Sequence, residues 1–198
     1  CHRAAEGGQL EVLRWMRVQN PPYPWDGAGM GMLAATTGAA RQGHLHVLQW
    51  LRAQDPPCSW NIYTCSFGAM SGRLDLLQWM LAQDPLCPCD EETCSEAARN
   101  GHLELLQWLR AQDSPCPWDA NTCSLAALNG HLELLQWLRE GDGERNDPPC
   151  PWSADTCASA AFYGHLEVLQ WVRAQDPACP WSANTCANAA FYGHLEVL

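Results

Sequence analysis

Two hydrophobic rhythms alternate along most of the chain. In one, Leu103, Leu106 and Leu109 form a stripe widened by Leu105 and Trp108, the 3.6-residue spacing of an amphipathic helix that starts just after His102. The other is shorter. Thr93-Cys94-Ser95-Glu96 has the Ser/Thr-x-x-Glu form of a capping box, and Ala97 and Ala98 follow as small residues that let another helix approach closely. Asn100-Gly101 is expected to stop this first helix, because both residues tolerate positive φ. The second helix is broken by Asp-Pro or Ser-Pro, as at Asp55-Pro56, Asp84-Pro85, Ser114-Pro115 and Asp176-Pro177. A Pro/Cys/Trp loop then leads to the next threonine.

This pair of helices is written repeatedly. Gly-His-Leu or a close variant places its glycine at 8, 43, 72, 101, 130, 164 and 193, giving spacings of 35, 29, 29, 29, 34 and 29. The period is 29 residues, with about six extra residues around 26–34 and a second insertion from Glu140 to Asp147. The latter is Gly-rich and charged, the composition of an exposed surface loop. The units read as 1–34, 35–63, 64–92, 93–121, 122–155, 156–184 and a truncated 185–198.

Charges fit the second helix at both ends. Glu11, Asp75, Glu104, Glu133, Glu167 and Glu196 fall in its first turn, with His46 the one departure, and Arg52, Arg110, Arg139 and Arg173 fall in its last, as the helix dipole favours. One such pair cannot bury its apolar stripe alone. A buried Leu or Trp contributes roughly 1.5 to 3 kcal/mol, against an ordering cost of about 1 to 2 kcal/mol per residue. The expected fold is therefore an all-α solenoid in which each unit is stabilised by its neighbours.

The run Ala97-Ala98-x-x-Gly101-His102-Leu103-Glu104-Leu105-Leu106-Gln107-Trp108-Leu109 resembles the helix-turn-helix core of the ankyrin repeat, and the resemblance covers the whole chain in seven copies, the first and last partial. The copies depart from that family in length, 29 residues against about 33. They also open with Thr-Cys-x-x, as in Thr122-Cys123-Ser124-Leu125, in place of Thr-Pro-Leu-His. The missing residues come mainly from the family's β-hairpin, so compact Pro/Cys/Trp loops such as Cys116 to Asp119 are expected in its place. The resemblance implies a protein-binding scaffold that recognises partners along a concave face built from first helices and loop tips.

Comparing copies within the chain separates slots that the fold fixes from slots it leaves free. The free slots, and so the candidate partner-binding residues, are Arg99 and Asn100, Leu128 and Asn129, Phe162 and Tyr163, and Phe191 and Tyr192 before the glycines. In the loops they are Asn61, Ile62 and Tyr63, and Asp90, Glu91 and Glu92. Solvated drift is the alternative for any of them. The Phe-Tyr pairs suit interface anchors, although packing against the next repeat also accounts for them.

Composition narrows the function. The chain has 11 basic residues, all arginine, against 22 acidic ones, a formal charge of −11. The lack of lysine removes a phosphate-loop or Schiff-base lysine, and the acidic balance argues against nucleic acid and anionic membranes while leaving room for a cationic protein partner. No run of 18 apolar residues and no leader of the secretory type is present. Because the chain opens on Cys1 and stops at Leu198 in mid-pattern, it is expected to be a monomeric array within a longer protein. The expected setting is intracellular, cytoplasmic or nuclear.

Cysteine and histidine recur at fixed offsets, as in Cys116, Cys123 and His131, which invites a metal reading. Structural zinc sites use closer ligand pairs, four to a metal, and here Tyr23 and Thr36 occupy cysteine slots and Arg73 a histidine slot. Packing thiols are the main reading, with local disulfides such as Cys116 to Cys123, or metal, as alternatives. A metal-binding or redox-responsive repeat protein, or a passive spacer for another domain, thus stands beside the scaffold reading. His-x-Glu is not followed by the Pro-Cys-x-x-Cys of zinc deaminases. There is no nucleophile elbow, phosphate loop or His-Glu-x-x-His helix, so no catalytic residue and no cofactor are expected. The 11 tryptophans, against 3 phenylalanines, all fall into a helix series and a loop series of packing positions.

Overall fold

The computed structural model describes residues 1–20, 30–140 and 148–194. Residues 26–29 of the insertion expected around 26–34, nearly all of the one from Glu140 to Asp147, and the last second helix lie outside the described residues. Among those described, every regular element is helical and there is no strand. The chain divides into two compact units, Cys1–Thr93 and Cys94–Leu198.

In the first unit, α1 (His2–Glu6), α3 (Met30–Arg41) and α5 (Ile62–Met70) are first helices, and α2 (Leu10–Arg17), α4 (Leu45–Arg52) and α6 (Leu74–Leu81) are second helices. Helix α1 packs on α3 and α3 on α5, while α2 meets α4, so like helices stack on like. Helix α7 (Glu91–Arg99) carries the chain into the second unit. There α8 (Leu103–Arg110), α9 (Ala120–Leu128), α10 (Leu132–Glu140), α11 (Ala154–Phe162), α12 (Leu166–Ala174) and α13 (Ala183–Tyr192) follow. Helix α9 packs on α11 and α11 on α13 in the same manner. This is the all-helical repeat stack that the period predicts.

The core repeats with the sequence. Leu105, Leu106 and Leu109 of α8, Leu134, Leu135 and Leu138 of α10, and Val168, Leu169 and Val172 of α12 are buried, as are the paired alanines of α3, α7, α9 and α11. The stripe is therefore centred one residue away from the expected one. Leu103 and Trp108 flank it, half-buried.

The helix starts also differ from expectation. Thr93 is not an N-cap, because helix α7 already begins at Glu91. Asp90 fills the capping role: its Oδ1 accepts from the Thr93 amide at 3.3 Å, and its own amide donates to Thr93 Oγ1 at 3.4 Å. Asn61 with Thr64, Asp119 with Thr122 and Ser153 with Thr156 form the same reciprocal box. The threonine is held at the third helical position because it also bridges repeats. Thr64 Oγ1 lies 3.4 Å from Thr37 Oγ1, Thr122 Oγ1 3.3 Å from Ser95 Oγ, and Thr156 Oγ1 3.3 Å from Ser124 Oγ.

Candidate interaction surface

The histidines serve the stack. Nε2 of His44, His131 and His165 donates to the carbonyls of Glu6, Arg99 and Leu128 in the preceding repeat at 3.0, 3.0 and 3.1 Å. Each ring lies against the glycine that ends the preceding first helix, Gly8, Gly101 and Gly130 respectively. Arg73 takes the same place by laying its aliphatic stem on Gly43. A residue that donates this hydrogen bond has that ring nitrogen engaged and closed to a metal. Among the described residues, no group of three or more His, Cys, Asp or Glu is placed to hold a metal ion.

The cysteines are free thiols, and nine of the 12 are buried. Cys116 and Cys123 are not joined. Cys123 instead faces the Cys150 carbonyl at 3.9 Å and Cys94 the Cys116 carbonyl at 3.7 Å, so each helix thiol packs into the loop that follows its own repeat. Cys150 and Cys179 donate in turn to the carbonyls of Asp119 and Ser153 at 3.2 and 3.4 Å. Burial pushes the Cys58 thiol up to about 11, and a hydrogen bond with Cys123, together with burial, also raises Cys150. Such groups stay protonated at neutral pH.

The two tryptophan series meet. Trp60 and Trp79, Trp118 and Trp137, and Trp152 and Trp171 pack edge to face with ring centres 6.0, 5.9 and 6.2 Å apart. The last-turn arginines do more than complement the helix dipole. Arg52, Arg110 and Arg139 lie over Trp60, Trp118 and Trp152 at 4.2, 4.0 and 4.0 Å. Each also donates from Nη1 to a loop carbonyl, that of Cys58, Cys116 or Cys150, at 2.9, 2.6 and 2.7 Å. Charge-assisted hydrogen bonds and stacked guanidinium thus clamp each loop to its helix.

These side chains are occupied by the fold, which leaves the first-helix face. In the first unit that face holds a groove of about 660 Å³ lined by α1, α3 and α5, including Arg3, Arg41, Tyr63 and Phe67. In the second unit a groove of about 500 Å³ is lined by Leu128, Asp155, Ser159, Phe162, Asn184 and Asn188. Tyr63 and Ile62 are exposed, as are Glu91 and Glu92 in the first turn of α7, whereas the side chain of Asn61 is engaged as a cap. Arg99 and Asn100 are exposed at the end of α7, with Arg99 3.7 Å from the Glu96 carboxylate and Asn100 donating to the Glu96 carbonyl at 2.9 Å. Leu128 is half-buried, and the exposed Asn129 donates to the Arg99 carbonyl at 2.5 Å.

The two Phe-Tyr pairs converge. Phe162 and Tyr192 have ring centres 4.3 Å apart, Phe162 and Tyr163 4.8 Å, and Phe191 and Tyr192 4.9 Å. Phe191 is 81% exposed and Tyr163 56%. One slot on this face escapes the sequence-based expectation. It lies five residues before each glycine and holds Arg3, Gly38, Phe67, Glu96, Leu125, Ser159 and Asn188. Its signal is present in the sequence, since no two of these copies agree. The slot is hidden because it sits between the threonine and the paired alanines, inside the segment that reads as fixed core.

Acidic side chains are also exposed on the second helices. Asp75, Glu104, Glu133 and Glu167 are exposed at the starts of second helices, and Arg73 beside Asp75 holds that carboxyl below its ordinary range. No protein-family model and no curated protein sequence matches the chain. Among the described residues, no helix is long and apolar enough to cross a membrane. The arrangement offers recognition by shape, aromatic contact and hydrogen bonding.

Proposed function

We propose that the chain is an ankyrin-type repeat array, in the seven units read from its sequence, that binds a protein partner along the first-helix face. One observation carries this reading: three of the variable slots, those of Phe67 and Ser159, of Tyr63 and Asp155, and of Leu128 and Phe162, line the grooves of that face, while the recurring histidines, arginines and tryptophans are consumed in stacking. In ankyrin arrays the corresponding face is the concave one. Arg99, Asn100, Leu128, Asn129, Phe162, Tyr163, Phe191, Tyr192, Tyr63, Glu91 and Glu92 are the proposed contacts, with Asn61 contributing through the helix start that it caps. The −11 charge favours a cationic partner segment, attracted at long range by the second-helix carboxylates and loops. Free, largely buried thiols suit a reducing compartment such as the cytoplasm or nucleus.

Affinity capture with the full chain tests the reading. The double variant Tyr63→Ser/Phe191→Ser alters two exposed aromatics, changes expected to leave stability within about 0.5 kcal/mol. Partner affinity should fall at least about tenfold. Glu104→Arg/Glu133→Arg on the second helices should weaken binding mainly at low salt. Full affinity in the first variant together with loss in the second would overturn the assignment of the face. Unchanged binding in both would favour a spacer.

A further inference from the structure

One repeat departs from the others at two linked positions. The arginine slot of Arg52, Arg110, Arg139 and Arg173 holds Leu81, and the loop tryptophan slot of Trp60, Trp118, Trp152 and Trp181 holds Cys89. Both halves of the arginine-tryptophan clamp are therefore replaced at the same loop, 82–90, one in the helix before it and one within it. Leu81 has no donor to offer that loop's carbonyls and no charge to lay on a ring.

A pair of sulfur atoms occupies the position instead. Cys89 Sγ lies 2.7 Å from Cys65 Sγ on α5, which places a half-buried loop thiol against a fully buried helix thiol. Cys87, in the same loop, donates to the Asn61 carbonyl at 3.7 Å. Hydrogen bonds with Cys87 and Cys89, and then burial, push the Cys65 thiol well above its ordinary range, so it remains protonated. A disulfide needs a sulfur separation of about 2.05 Å, so the pair is within a small side-chain adjustment of bonding. In the second unit, by comparison, Cys94 and Cys123 face the loop carbonyls of Cys116 and Cys150, and those loops keep their arginine and tryptophan.

We propose that Cys65 and Cys89 form a reversible disulfide on exposure to peroxide, a covalent substitute for the missing clamp. Cys89, the more accessible thiol, gives up its proton and attacks one peroxide oxygen. The O–O bond breaks, leaving a sulfenic acid on Cys89 and a hydroxide that takes the proton to become water. The Cys65 sulfur then attacks the Cys89 sulfur, the S–O bond breaks, and the departing hydroxyl leaves with the Cys65 proton as a second water. Two thiols are oxidised by two electrons in all, and one peroxide is reduced to two waters. A small-molecule dithiol restores the pair by exchange, becoming a cyclic disulfide itself. Oxidation ties loop 82–90 to α5 just ahead of Asp90, Glu91 and Glu92, whereas reduction leaves this loop without the clamp that its counterparts have.

The test uses the full chain, reduced and then freed of reductant, titrated with hydrogen peroxide. Thiols are counted in denaturant and the tryptic peptides 53–73 and 74–99 are characterised by mass spectrometry. The parent should lose two of its 12 thiols and the mass of two hydrogen atoms, with fragment ions joining Cys65 to Cys89. Cys87→Ser should behave identically. Cys89→Ser should lose no thiol pair at the same dose. Amide exchange across 82–90 should slow in the oxidised parent and recover with dithiol. A link from Cys65 to Cys87, over-oxidation of Cys89 without a link, or pairwise thiol loss in Cys89→Ser at the parent's rate would each overturn the proposal.

Discussion

Replacing Gly130 with alanine should lower the unfolding free energy by roughly 3 kcal/mol. Two costs combine. Gly130 has φ +72°, and an L-residue held there costs about 1 to 2 kcal/mol. The added Cβ would also lie 2.6 Å from Nδ1 of His165, so the ring that rests on the glycine must swing away and loosen its 3.1 Å hydrogen bond to the Leu128 carbonyl. Crowding of this kind costs about 1 to 3 kcal/mol. Gly193 provides the comparison, since it has φ +77° but nothing within 4 Å of where an alanine Cβ would sit. Gly193→Ala should therefore cost only the backbone share, about 1 to 2 kcal/mol. Urea midpoints at unchanged slope measure both. Equal losses in the two variants would show that the histidine does not brace the preceding repeat.

Arg110→Ala should cost a similar amount, roughly 3 kcal/mol. Arg110 is only 7% exposed, donates to the Cys116 carbonyl at 2.6 Å and lies 4.0 Å from the Trp118 ring. A hydrogen bond from a charged group contributes about 1.5 to 3 kcal/mol, and a desolvated cation over an indole about 0.5 to 2 kcal/mol. Arg110→Lys should recover little, because an ammonium cannot both stack flat and reach the carbonyl. Arg173 keeps the 2.6 Å bond to the Cys179 carbonyl, but it is exposed and 5.4 Å from Trp181, so Arg173→Ala should cost distinctly less. Urea denaturation followed by tryptophan emission reads both changes. A loss from Arg173→Ala as large as that from Arg110→Ala would count against the stacked clamp.

What is legible in the sequence is whatever the repeat itself states. The second helices, the left-handed glycines and the two tryptophan series follow from local periodicity, because each copy writes the same pattern again. The helix start at Thr93 is ambiguous locally, because its Ser/Thr-x-x-Glu pattern is as good a signal as the Asp90 cap three residues earlier. Only the bond from the neighbouring repeat to the threonine slot decides between them. The clasp from His165 to Leu128 spans 37 residues and the sulfur pair of Cys65 and Cys89 spans 24, so neither has a local signature. Even so, the substitution of Leu81 together with Cys89 is visible as a paired exception. The slot holding Phe67 and Ser159 shows the opposite difficulty: its variation is plain, but its place on the groove emerges only when α5 and α11 are seen stacked on their neighbours.

On the proposed reading, the first helices stay free to recognise a partner while the second helices and their clamps hold the stack together. The most direct test of that division is hydrogen exchange with side-chain footprinting on the full chain, with and without a captured partner. Protection should appear at Tyr63, Phe67, Phe162, Asn188 and Phe191, with the exposed carboxylates Asp75, Glu104, Glu133 and Glu167 unchanged. Protection of those carboxylates, with the first-helix grooves as reactive as before, would contradict it.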